Sequence, residues 1–208
     1  VAIPLGILSA VKKNSAVDYL VRGMSFVGNS LPNFFVALLL IYVFAVVLGW
    51  LPVLSSSLGS SGLSSLTVAG SVLPVATLGI AMASKYVRQV RATVLEELGK
   101  PYVEGARARG VSEKAILMKN VLKSCMVMIV TLVALSIGDL LGGTAIVETI
   151  FQWDGVGKLA VDSIIMRDYP MIQAYVVWMA VIYVVVNLIA DLAYHRLDPR
   201  VRLGGGRR

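Results

Sequence analysis

The chain has 208 residues, 57% apolar and 15% charged, with a mean hydropathy of +0.81, a net charge of +7 and a pI of about 9.7. A soluble domain carries about 25% charged residues, whereas here no charge occurs between Arg22 and Lys85, a run too long for one buried soluble element. The apolar runs are also continuous, where a barrel strand would alternate over about 10 residues. These features exclude the soluble and barrel classes and leave an α-helical integral membrane protein, whose spans need about 20 apolar residues each.

Five hydrophobic segments are predicted in chain order. The first, "VAIPLGILSA", is half a span and lacks the charged start of a signal peptide. It reads as the tail of a helix that begins upstream, with a re-entrant segment as the alternative. The second covers residues 24–48, with Pro32 near its start and Trp50 at interface depth. A Pro/Ser/Gly loop, "LPVLSSSLGSSGLSS", follows it. The third covers 66–84 and contains Gly70, Pro74 and Gly79. The fourth covers 125–147 with Asp139, Gly142 and Gly143 inside, and the fifth covers 171–190 with Asn187 inside. The single Cys125 excludes an internal disulfide and a cysteine-based zinc site, and reads as a small buried hydrophobe. His195 stands in a basic tail without the clustered neighbours a metal site requires.

Charge sets the orientation, because loops rich in Lys and Arg stay cytoplasmic. The loop at 11–23 carries three basic residues, 55–65 none, 85–123 nine, 148–170 two against four acids, and the tail from Tyr194 five. Seventeen of nineteen positive charges fall on one side. The high pI therefore calls for no nucleic acid, and both the 101–123 region and the 195–208 tail are expected in the cytoplasm.

The 85–123 loop is a polar island. Lys85, Arg88 and Arg91 extend the third segment at i, i+3 spacing on one helix face. "ELGKP" ends that helix, with Gly99 as a C-terminal cap and Pro101 in the first turn of the next. Residues 102–108 predict a short helix, nearly smooth at Gly105, Ala106 and Ala108, and Gly110 ends it. A second helix, 112–122, starts at Ser112 as N-cap. Such a smooth helix can lie in a partner's groove or simply form a solvated surface.

"YVEGARARG" resembles the cytoplasmic Glu-Ala-Ala motif of permease subunits in binding-protein-dependent ABC importers, with Glu104, Gly105, Ala106 and Gly110 in the motif's places. "NSLPNFFVALLLIYVFAVVLGWLP", "ETIFQWDGVGKLAVDSIIMRDYPMIQ" and "DLAYHRLDPRVR" are similar to the dipeptide, oligopeptide and nickel class of these importers. "GGTAIVETIF" leans toward its nickel members. Departures are Gly105 for Ala, Asn120 and Met128 where the class often has His and Pro, and Asp154 for Pro. The resemblance implies an all-α polytopic bundle of the type I importer permease kind, with residues 1–208 one transmembrane domain in a bacterial or archaeal cell membrane. It implies a second, homologous permease, two ATPase subunits and an extracytoplasmic substrate-binding protein as partners. It makes 101–123 the coupling region, with Tyr102, Glu104, Gly105, Ala106, Arg107 and Gly110 docking into an ATPase groove. ATP and Mg would be used by the partner subunits, and no cofactor would be bound here.

The residues themselves argue against a nucleotide site. "GVGKLA" has Gln152 where a P-loop needs its first Gly and Leu159 where it needs a hydroxyl, and it reads as the turn into a short outer helix. Asp139 is an acid well inside a span, which is costly enough to mark a pathway-lining or hydrogen-bonded residue. The competing class is a secondary transporter or channel working on Asp139 and Glu148 without ATPases. Such a protein would need no coupling helix and usually has an internal repeat.

Overall fold

A computed structural model of the chain describes residues 1–54, 56–58, 64–66 and 68–197. Parts of the predicted 55–65 loop and of the 195–208 tail lie outside these residues. The described helices are α1 (Ala2–Val11), α2 (Ala16–Ser30), α3 (Asn33–Leu40), α4 (Val68–Leu98), α5 (Pro101–Ala108), α6 (Glu113–Ala115), α7 (Leu122–Gly143), α8 (Ala145–Phe151), α9 (Val156–Met166) and α10 (Tyr169–Leu197). α3 and α6 continue as π-helical stretches, Ile41–Val47 and Ile116–Val121. Two three-residue strands, β1 (Ser56–Leu58) and β2 (Ser64–Leu66), pair antiparallel with Ser56 opposite Leu66.

Among the described residues, three helical stretches, Val68–Leu98, Glu113–Gly138 and Tyr169–Ile189, are long and apolar enough to cross a membrane. They carry the predicted third, fourth and fifth segments. The second segment is not one straight helix. It breaks into α2 and α3, which meet at 103°. Pro32 is the cause, since it has no N–H to donate and disfavours helical geometry at Leu31 before it; it takes the extended N-cap position of α3. The fourth segment ends earlier than predicted, because α7 stops at Gly143 and Val147 belongs to α8.

The chain gathers into two compact units, Val1–Val27 with Ala83–Ser136 and Val185–Arg208, and Gly28–Met82 with Ile137–Val184. In the first unit α4 turns Val87, Val90 and Val94 inward at helical spacing. α1 lies close against this stripe. A Cβ at Gly6 would fall 2.8 Å from Val90 Cβ, so only glycine permits the approach. Beside it is a buried polar cluster. "NSAVD" starts α2: Ser15 Oγ accepts the N–H of Asp18 at 3.3 Å, as a helix cap does. The Asp18 side chain turns back to accept the N–H of Asn14 at 3.0 Å, and Asn14 takes a left-handed φ of 62° that asparagine tolerates. Arg91 closes the site from α4, donating Nε to Asp18 Oδ1 at 2.7 Å and Nη2 to Oδ2 at 2.9 Å. Ser9 Oγ of α1 donates to Oδ1 at 2.6 Å. Arg91, expected on one helix face with Lys85 and Arg88, is paired with a carboxylate 73 residues away. Cys125 is buried, as expected.

In the second unit, Val36, Ala37 and Leu40 of α3 form a core with Leu73 of α4 and Val147 and Phe151 of α8. α9 packs on α8 so closely that a Cβ at Gly157 would lie 2.8 Å from the Ala145 backbone. The glycines of "GVGKLA" thus serve a helix start: Gly155 is the N-cap of α9. Glu148 reaches across from α8. Its Oε2 accepts the N–H of Lys158 at 2.8 Å, in the first turn of α9, where a carboxylate also meets the positive end of the helix. Thr144 donates to its other oxygen. Glu148→Ala is expected to destabilise the α8–α9 pair by about 1 kcal/mol, speeding amide exchange at Lys158 about fivefold. Unchanged exchange there would show that the carboxylate does not hold α9.

Candidate functional site

The two ends of α5 are set locally. Lys100 is extended, and Pro101 occupies the first helical position, where its missing N–H is not needed. At the other end Gly110 has φ +76°. Its N–H donates to the Arg107 carbonyl at 2.9 Å, and that of Val111 to the Ala106 carbonyl at 3.2 Å. This pair of bonds closes a helix around a left-handed residue, a conformation natural only to glycine.

Packing divides α5 into two faces. Val103 and Ala106, one turn apart, are fully buried, and α5 rests on the Ile116–Val121 stretch, whose Ile116 and Val121 are buried too. Of the six residues expected to couple, Tyr102, Glu104, Arg107 and Gly110 are exposed and Gly105 is partly so. Ala106 is 1% exposed. Its methyl belongs to the chain's own core, where its small size lets α5 lie close, and it presents nothing to a partner. Arg107 is already engaged: Nε and Nη2 donate to Glu113 at 2.6 and 3.1 Å, bridging the Gly110 turn. Ser112 has the extended backbone of an N-cap but makes no side-chain capping bond; its carbonyl accepts the N–H of Ile116.

Sequence reasoning missed the carboxylate beneath this helix. Glu97, in the last turn of α4, is 8% exposed. It accepts Tyr102 Oη at 2.8 Å and pairs with Lys100 Nζ. Burial, and then the bond to this carboxylate, push the Tyr102 phenol above its ordinary range, so Tyr102 stays a donor. The only hint in the sequence is an acid five residues before a tyrosine, across a helix break, a spacing that no local rule addresses. Asp139 lies on α7, with its side chain outside the described residues; His195 stands likewise, on α10.

Residues 2–203 match the family described as binding-protein-dependent transport system inner membrane component. The chain is similar to the glutathione transport system permease protein GsiC of Escherichia coli strain K12, 39% identical over 197 residues that make 95% of this chain and 61% of the relative. It is 38% identical over 209 residues to the oligopeptide transport system permease protein AppB of Bacillus subtilis, 97% of this chain and 64% of that one. The GsiC of Salmonella paratyphi A is 38% identical over 198 residues, 95% and 62%. The chain thus spans less than two thirds of the length of these curated relatives. With its apolar helices and its closed α5 turn, the chain belongs to the family of binding-protein-dependent transport system inner membrane components.

Proposed function

We propose that this chain is a permease subunit of an ATP-driven peptide importer, lining half of a translocation path and driven through α5. The observation that carries the coupling role is the exposed face of α5. Tyr102, Glu104 and Gly105 stand on a helix that is tied at both ends and backed by a buried core. An exposed face held rigid in this way suits docking by a partner. Membership of the family supports partners of these kinds: a second permease, two ATPase subunits that would hydrolyse ATP with Mg, and an extracytoplasmic binding protein. Closure of the ATPases would rock the spans as rigid bodies between inward- and outward-open states. Glutathione and oligopeptides in the names of relatives favour peptide cargo; nickel appears in none of the names quoted above. Asp139 is proposed as an acid of the path, and the basic loops support a cytoplasmic side for α5 and the C-terminus.

The test is a pull-down through a tag on this chain, together with uptake of labelled glutathione and a labelled tetrapeptide by cells with and without it. ATPase subunits are expected in the pull-down, and chain-dependent uptake of at least one peptide. A chain that purifies without ATPases and supports uptake in ATP-depleted, energised cells would belong to the secondary-transporter class instead.

A further inference from the structure

α5 packs Val103 and Ala106 on the Ile116–Val121 stretch, which leads into α7, but it is joined to α4 only through Gly99 and Lys100. Glycine loosens a backbone, so this link alone would let α5 move without α4. Glu97 opposes this. A carboxylate in the last turn of a helix faces the wrong end of the helix dipole, and burying it costs free energy unless it is fully paired. Its position is therefore unfavourable within α4 alone and is made favourable by groups from elsewhere. Lys100 supplies a charge from the connector and Tyr102 a hydroxyl from α5. Tyr102 is 39% exposed, so its ring lies at the outer face while its hydroxyl is held inside.

We infer that Glu97 is the positioning residue of the coupling region: it braces α5 to α4, so that displacement of α5 enters α4 rather than being absorbed at the Gly99–Lys100 connection. This rests on the coupling role proposed above. A partner pressing on α5 moves the Tyr102 ring, and the Glu97 carboxylate passes the motion to α4.

The experiment uses the complex purified through a tag on this chain, with Cys125→Ala and single cysteines replacing Ala108 on α5, Arg88 on α4 or Lys123 on α7. Each carries an environment-sensitive fluorophore, and ATP with vanadate is the probe. In the parent complex all three sites are expected to respond. In Glu97→Ala the Ala108 and Lys123 sites should still respond, the latter through the packing of Val103 and Ala106 on the Ile116–Val121 stretch, while the Arg88 response falls at least about fivefold, the low end of coupling between sites. Glu97→Gln keeps an acceptor for Tyr102 and should restore about half of the response. An undiminished response at Arg88 in Glu97→Ala overturns the inference, as does a loss shared equally by all three sites. If Glu97→Ala does not assemble, Tyr102→Phe decides: a selective loss at Arg88 supports the brace and an unchanged response there overturns it. Silence at the Ala108 site in the parent complex would instead sink the coupling role itself.

Discussion

Asp18→Ala is expected to destabilise the protein by about 3–5 kcal/mol, the usual cost of removing one partner from a buried ion pair. Asp18 is fully buried and receives both Arg91 donors, Ser9 Oγ and the Asn14 N–H. Its removal leaves a guanidinium only 18% exposed without its counter-charge, and frees α1, α2 and α4 from one another at the same point. The loss should be read as a lowered unfolding temperature in detergent and reduced abundance in membranes. Asp18→Leu combined with Arg91→Met replaces charge by apolar volume and should recover most of the stability, because the desolvation cost of both ions disappears with them. If the single variant unfolds like the parent protein, the cluster contributes no net stability and Arg91 has found another partner.

The second large effect concerns function. Gly110→Trp is expected to abolish uptake, and with it either ATPase retention or the stimulation of ATP hydrolysis by the binding protein. Gly110 is exposed, and a Cβ there would meet no atom within 4 Å. A methyl at this site therefore clashes with nothing in the chain itself. What it does cost is the left-handed backbone at φ +76°, about 1–2 kcal/mol for any residue with a Cβ. Gly110→Ala bears that strain without the bulk, so the two variants separate backbone from surface. Ala should retain most uptake at matched abundance, while Trp obstructs a docked partner. Equal uptake by the two variants would mean that no partner approaches this turn.

Both predictions show where sequence reading stops. Membrane class, the long spans, the limits of α5 and the start of α9 were all legible in the sequence, because each depends on composition or on backbone chemistry within a few residues. An uncharged run cannot be soluble, Pro101 suits a helix start, and the glycine at 110 permits the left-handed closure. Pro32 and Pro74 look alike in sequence, yet the first separates two helices at 103° and the second stays inside α4. After the Pro32 bend, α3 buries Val36, Ala37 and Leu40 against α8, a reward that lies over a hundred residues away. Likewise the sequence sets Arg91 on one helix face with Lys85 and Arg88, gives Ala106 a place in the docking region and puts Glu148 among the acids of an outer loop. Tertiary contacts made them an ion pair, a core methyl and a cap for α9. Glu97 had no predicted role and became a brace. The physical reason is common to all of them. A charged or polar group takes its role from the partner that compensates its burial, and a small residue from whatever approaches it; those partners lie on other helices, where no local pattern can specify them.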